Sequence, residues 1–334
     1  MPFLLLRIFL LVSLVFGTPA SVLARAPEAQ IIAFTFDWDD NIFQMPTKIM
    51  VFHKKTGEEL PLSTADFALV RSEIGKPGTK YADYQLCDSN ATGSMRYFGD
   101  FSEDGIGRFQ KDIDEALTGK SENWQGPVWN DFVTAMSRNE TASHTWLITA
   151  RLHSARTIHD ALGNLQKRGL LKNVPPVENI WAVNDPEFPV RFRKTFGAEP
   201  PAGSAANPSA RKATVMEQIL DQIEKTEIPS KAIEVLGPDG KTRGRFHLWG
   251  FSDDDYGNFE KATQVLQKGI DSGRWKTVKL TIFFTGKRTP GKQPCAVTLF
   301  PGNPPRPFTE VTEWKKILEL ATESSAMQEV PSAK

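Results

Sequence analysis

Two runs of carboxylates each follow an apolar segment directly. The first is Asp37-Trp38-Asp39-Asp40-Asn41 after Ile31–Phe36. The second is Ser252-Asp253-Asp254-Asp255 after Phe246–Phe251. Carboxylates packed this closely repel, so they need a cation or shared protons. Ligands of open α/β sheets bind at the carboxyl ends of strands, where both runs fall if the apolar segments are strands. With those strands side by side, five or six carboxylates face one crevice. Hard oxygen donors at that density suit Mg²⁺ better than zinc. A calcium-binding helix–loop–helix is excluded, because its loop needs Gly at the sixth position and Glu at the twelfth. The first run has Ile42 and Lys48 there, and Gln264 is twelfth from Asp253. The bland alternative is that the acids cap the helices that follow.

A third strand end reads Thr149-Ala150-Arg151-Leu152-His153. Arg grips phosphate in a bidentate way, so Arg151 is a candidate phosphate contact. His153 is a substrate contact or a helix cap. His53, His144, His159 and His247 lack metal-ligand spacing and read as structural. Trp124, Trp129 and Trp146 read as core. Trp38, between two carboxylates, is expected to shape a pocket wall.

The elements that must position these groups follow from periodicity. Ile31–Phe36, Thr145–Ile148, Asn179–Val183, Phe246–Phe251 and Val278–Phe284 are continuous apolar runs, as in strands buried on both faces. Helical patterns lie between them at Ser154–Leu171, Lys212–Ile223 and Phe259–Ile270. This alternation predicts an α/β fold with a parallel sheet. Residues 44–124 break the order with Gly and Pro clusters and one helical segment near Ile106–Leu117. They read as an insertion covering the sheet edge. Pro200–Ser209 reads as a flexible loop. Gly286–Pro307 reads as a basic surface arm in which Ala296–Phe300 could add a strand.

The chain has 334 residues, enough for about two domains, and 40% are hydrophobic, enough for a core. Lys+Arg and Asp+Glu balance at 40 each. A basic excess expected of a bulk nucleic-acid or membrane binder is therefore missing. Two Cys exclude a disulfide-built scaffold and a four-Cys zinc site. Residues 1–24 carry Arg7, an apolar run Ile8–Phe16 and a small-residue ending Val22-Leu23-Ala24, the layout of a secretory signal peptide. The expected product is exported, periplasmic or secreted, with no membrane span after cleavage. There Cys87 and Cys295 could pair.

Four motifs in this order resemble the haloacid dehalogenase-like (HAD) hydrolase superfamily. The first is Asp37-Trp38-Asp39-Asp40-Asn41, with Asn41 where the family has Thr or Val. The second is Trp146-Leu147-Ile148-Thr149. The third is a Lys at a helix start, Lys212, with Lys194 as rival. The fourth is Asp253-Asp254-Asp255, where Asp253 and Asp254 remain alternative lead acids. The resemblance implies a HAD-like Rossmannoid three-layer α/β/α parallel sheet with a cap-like insertion after the first strand. Residues 25–43 and 125–300 would form the core, 44–124 the cap-like insertion, and 301–334 a C-terminal extension with a frayed tail.

The resemblance also implies a Mg²⁺-dependent phosphatase that hydrolyses small phosphomonoesters through an aspartyl-phosphate. Asp37 would be the nucleophile. Asp39 would be the acid–base, holding a proton at the start. Thr149, Arg151 and Lys212 would bind phosphate. Asp37, the backbone carbonyl of Asp39, and Asp254 or Asp253 would hold the metal. Two alternatives stay open: a nucleotidase or nucleic-acid-end phosphatase, and a catalytically inactive exported binding protein on the same scaffold. No stable nucleic-acid partner is expected.

Overall fold

The computed structural model describes residues 30–308, apart from residues 90, 102, 120–123, 202–206, 230, 231, 233, 237–241, 288–295, 303 and 304. The leader-like residues 1–24, Cys295, residues 288–295, 303 and 304 of the basic arm and the tail after residue 308 lie outside the described residues; Cys87 is exposed. Along the chain come β1 (Ile32–Phe36), β2 (Ile49–His53), β3 (Glu59–Leu62), α1 (Thr64–Val70), β4 (Tyr84–Gln85) and α2 (Glu103–Thr118). Then follow α3 (Trp129–Ala135), α4 (Asn139–Ser143), β5 (Thr145–Thr149), α5 (Ala155–Lys167), β6 (Ile180–Ala182), α6 (Phe188–Phe196) and α7 (Pro208–Glu224). The last are β7 (Glu234–Leu236), β8 (Thr242–Arg245), β9 (His247–Asp253), α8 (Tyr256–Asp271), β10 (Val278–Phe284), β11 (Ala296–Leu299) and β12 (Arg306–Phe308).

The fold is mixed α/β around a mostly parallel sheet, ordered β12-β11-β10-β9-β1-β5-β6. The strands from β10 to β6 pair in parallel, and β11 and β12 add antiparallel edges. Every residue of β1, β5 and β9 is buried, as their unbroken apolar runs require. Alternate side chains of β1 face opposite ways. Ile32, Phe34 and Phe36 join one cluster with Phe109, Phe132, Ile158 and Leu162. Ala33 faces the other, with Phe192, Val215, Ile219, Phe259 and Leu266. Helices therefore cover both faces. Each fully buried Phe or Leu contributes on the order of 1.5–3 kcal/mol, which makes this double-sided core the anchor for the strand ends. Among the described residues no helix is long and apolar enough to cross a membrane.

Helix starts are set by caps. Ser154 caps α5, Asn207 caps α7 ahead of Pro208, and Asp255 caps α8. The capping alternative thus holds for Asp255 but not for Asp253, which ends the strand. Lys212 sits in the second turn of α7 rather than at its start, since the Asn207-Pro208 pair begins the helix earlier than the apolar pattern suggests.

The insertion leaves and returns at one joint. Phe43 pairs with Gln125, the Gln44 N–H donates to the Trp124 carbonyl at 2.7 Å, and the Gly126 N–H donates to the Ile42 carbonyl at 2.9 Å. Between those ends lie two parts. A three-stranded sheet, ordered β3-β2-β4, carries α1 and its own small cluster of Val51, Leu62 and Tyr81. Helix α2 instead packs into the main core through Phe109, Ile113 and Ala116. The joint tolerates no extra atom, for a Cβ on Gly126 would lie 2.1 Å from the Asn41 carbonyl oxygen. Gly126→Ala is expected to cost about 1–3 kcal/mol in denaturant unfolding. Gly163→Ala, inside α5 where an added methyl meets nothing within 4 Å, is expected to gain up to ~1 kcal/mol. Equal stabilities for the two variants would contradict this account of the joint.

Candidate functional site

The pairing of β1 with β9 creates the site. Phe36 stands opposite Ser252, so Asp37 and Asp253 emerge side by side at the carboxyl edge. The two strand ends are bolted together by Asn41. Its Nδ2 donates to the Asp37 carbonyl at 3.1 Å, the Ser252 carbonyl at 3.1 Å and the Ser252 Oγ at 3.0 Å. Its Oδ1 accepts from the Thr285 hydroxyl, just past β10, at 2.7 Å. A Thr or Val could not span three strands in this way. Asp40 completes the turn in the left-handed region, φ 56°, which Asp tolerates better than most residues.

Lys212 reaches the acids from α7. Its Nζ lies 2.7 Å from Asp37 Oδ1 and 2.7 Å from Asp253 Oδ2, with all three side chains buried. The rival Lys194 is exposed on α6. Asp253 also accepts from the Asn258 side chain at 3.0 and 3.1 Å and from the Asp255 N–H at 2.9 Å. Asp254 completes a trio with Asp37 and Asp253 whose ligand oxygens all lie within 4.8 Å of one another. Both alternatives for the lead acid are therefore at the cluster. Asp253 is the one saturated by hydrogen bonds, and Asp254 is the more open.

Two carboxylates bond a single ammonium and a third stands beside them, so acids outnumber bases in a buried place. Burial pushes the Asp37 carboxyl up to about 8, with Lys212 pulling down and Asp253 and Asp39 adding to the rise. Asp254 is driven well above the ordinary range by burial, then by Asp253 and Asp37. Asp253 is raised by burial against the pull of Lys212 and Asn258. Burial alone would discharge Lys212, but Asp253 and Asp37 outweigh it and hold the ammonium more firmly than usual. Asp40 is raised to about 6, again mainly by burial.

Arg151 lines the cavity and is held by Asp39. Its Nε and Nη2 fork onto Asp39, at 2.9 Å to Oδ2 and 2.6 Å to Oδ1. Nη2 also donates to the Thr47 hydroxyl at 2.9 Å, and Thr47 in turn bonds to Asp112 of α2. The guanidinium is sandwiched by Phe98 and Phe109, 4.8 and 4.9 Å from the ring centres. Nη1 is buried with no hydrogen-bond partner among the described residues. Thr149 ends β5 with its hydroxyl accepting from the Arg151 N–H at 3.3 Å. His153 is fully buried against Phe109, 5.2 Å between ring centres. Trp38 forms no pocket wall. It is fully buried and stacks on Phe43, because period-two alternation sends it opposite to Asp37 and Asp39. His247 is structural, with Nδ1 accepting from the Ile31 N–H and Nε2 against the Thr226 carbonyl.

A cavity of about 700 Å³ opens above the cluster, and Asp37, Asp39, Thr149, Arg151, Lys212 and Asp254 all line it. No family model, curated protein or solved structure matches the chain. The chemistry must be read from these side chains. They can hold a small hard cation and, beside it, an anion reaching Lys212 and Thr149. Asn41 was visible in the sequence only as a departure from a pattern, and Thr47 and Asp112 carried no sequence signal.

The raised carboxyls of Asp37, Asp40, Asp253 and Asp254 bind protons more tightly folded than unfolded. Between about pH 4 and pH 8 the folded state therefore holds more protons, and metal-free stability falls as pH rises through that window. Asp37→Asn removes one buried ionisation. Without divalent cations it is expected to be more stable than the parent at pH 8, with the difference shrinking toward pH 4. Denaturant unfolding at both pH values checks this, and a variant weaker than the parent at pH 8 contradicts it.

Proposed function

We propose that the chain is a Mg²⁺-dependent phosphomonoesterase of the haloacid dehalogenase-like type, working through an aspartyl-phosphate on Asp37. The observation that carries this reading is the Asp37–Lys212–Asp253 arrangement, with Asp254 and Thr149 beside it at the ends of adjacent parallel strands. The four-motif resemblance supports it, and so does a sheet with helices on both faces. Residues 44–124 are then the cap.

The donor set fits Mg²⁺. All donors are carboxylate oxygens, they cluster within 4.8 Å, and three acids exceed one base. Asp37, Asp254 and Asp253 would hold the ion, which would offset the repulsion between a carboxylate and a phosphate dianion. Lys212 occupies Asp37 Oδ1, which leaves Oδ2 to attack phosphorus in line. A bond forms from that oxygen to phosphorus, and the bond from phosphorus to the ester oxygen breaks. Lys212 and the Thr149 hydroxyl bear the charge that builds on the transferred group. Asp39, which accepts from Arg151 as a carboxylate, would take up a proton from solvent on leaving that fork and give it to the leaving oxygen. It then takes one from water, whose oxygen attacks phosphorus and releases phosphate and the Asp37 carboxylate. For this Asp39 must leave the fork of Arg151. An incoming phosphate competes for the same guanidinium and has the spare Nη1 to bind.

A second reading is a binding protein on the same scaffold, and the observation behind it is that Arg151 engages both Asp39 oxygens. On the strength of the leader-like residues 1–24 we propose export to the periplasm or outside the cell.

The deciding experiment is phosphate release from p-nitrophenyl phosphate by purified protein. Turnover is expected with Mg²⁺ and none with chelator. Asp37→Asn is expected to lower kcat by at least ~10³-fold, and Lys212→Met by roughly 10²–10³-fold. Mg²⁺ binding without phosphate release from any of a panel of esters would favour the second reading. Full activity in Asp37→Asn would refute the nucleophile.

A further inference from the structure

The cavity walls are segregated by chemistry. The floor carries the carboxylates, Lys212, Arg151 and Thr149, and one rim on α7 and α8 adds Asn207, Ser209 and Lys261. The insertion supplies the opposite wall, and that wall is apolar: Ile49, Phe67, Ala68, Met95 and Phe98. Its two polar contributions are Thr64 and Arg71, and Arg71 is engaged across the mouth by Asp255 at 3.1 Å. Ile49 and Phe98 are buried, and Phe67 and Met95 are half-buried, so the wall is presented by packed side chains.

A phosphoryl group held at Asp37 leaves the rest of the ester to lie in the remaining space. About 700 Å³ is far more than a phosphate needs and falls within the range of pockets that enclose drug-sized ligands. A polyhydroxylated leaving group lying against Ile49, Phe67, Met95 and Phe98 would turn hydroxyls toward side chains that cannot bond them, leaving satisfied only those that face Thr64, Arg71 or the α7–α8 rim, and unpaired buried polar groups are costly. A flat or apolar group loses nothing there and removes apolar surface from water. Phe67 offers a ring edge or face, and Met95 a deformable thioether that adapts to an aromatic partner.

Building on the phosphatase reading, we infer that this wall selects phosphomonoesters of aromatic or otherwise apolar alcohols and discriminates against sugar phosphates. The floor sets the reaction, and the wall sets the leaving group.

The test separates binding from turnover. In the Asp37→Asn protein with Mg²⁺, dissociation constants for 1-naphthyl phosphate, phenyl phosphate, glycerol 2-phosphate and glucose 6-phosphate are measured by calorimetry. 1-Naphthyl phosphate is expected to bind at least tenfold more tightly than glucose 6-phosphate, with phenyl phosphate between them. Phe67→Ala in the same background is expected to shrink that ratio about tenfold, Met95→Ala to shrink it less, and Phe67→Leu to restore most of it. Thermal unfolding of each variant shows whether it has kept its fold. Equal affinities, a preference for the sugar phosphate, binding of none of the four, or an unchanged ratio in Phe67→Ala would overturn the inference. An aryl preference in binding, with no phosphate released by the parent protein, would uphold the wall and overturn the phosphatase reading instead.

Discussion

Two carboxylates share one ammonium, with a third beside them, at the junction of β1, β9 and α7, and the rest of the architecture serves to hold them there. Left to themselves, Asp37, Asp253 and Asp254 would separate or draw in water. They cannot, because β1 and β9 are fixed in register by a core packed on both faces and by the Asn41 strut running to Ser252 and Thr285. On the far side, Gly286 lets the chain after β10 lie against the Asp254 carbonyl, where an added Cβ would sit at 2.1 Å. The folded state thereby holds buried charge that weakens it above the ordinary carboxyl range. The divalent cation proposed for this site would relieve that charge, so its affinity and the instability of the metal-free protein would have one origin.

The two acids of the Asp-Trp-Asp run belong to separate hydrogen-bond systems, although the charge of Asp39 is felt at Asp37. Asp37 is joined to Lys212 and the second acidic strand end. Asp39 is joined to Arg151 and, through Thr47 and Asp112, to the insertion. Trp38, pointing into the core between them, keeps the two systems apart by a full pleat. The division suits a proposed reaction in which one carboxylate stays in place as nucleophile and the other must exchange partners. It also links the insertion, which forms the apolar wall, to the group proposed to move the proton.

The buried strands were readable because a strand covered on both faces is apolar at every position. The acids at their ends were equally plain. What no local pattern contained was adjacency: Asn41 meets partners 211 and 244 residues away, and Arg151 meets Asp39 across 112. Asn41 therefore looked like a deviation when it is a strut, and the fork of Arg151 onto Asp39 had no local signal. Trp38 differs, since the alternation of β1 continues one step past the end of the strand and turns its side chain inward onto Phe43. The Asn207-Pro208 start of α7 was absorbed into a loop-like composition, which put Lys212 one turn too early. The strands of the insertion, two to five residues long, are too short to show a period. The wall they help carry was invisible until folded.

The most direct test of the central claim is to trap the covalent state. The protein is mixed with an aryl phosphate and Mg²⁺, quenched in acid within milliseconds, and reduced with borohydride, which converts an aspartyl-phosphate to homoserine. Peptide mass mapping then locates the change. Homoserine is expected at position 37, and none when Mg²⁺ is withheld. Homoserine at another acidic residue, or rapid phosphate release with position 37 unaltered, would contradict it.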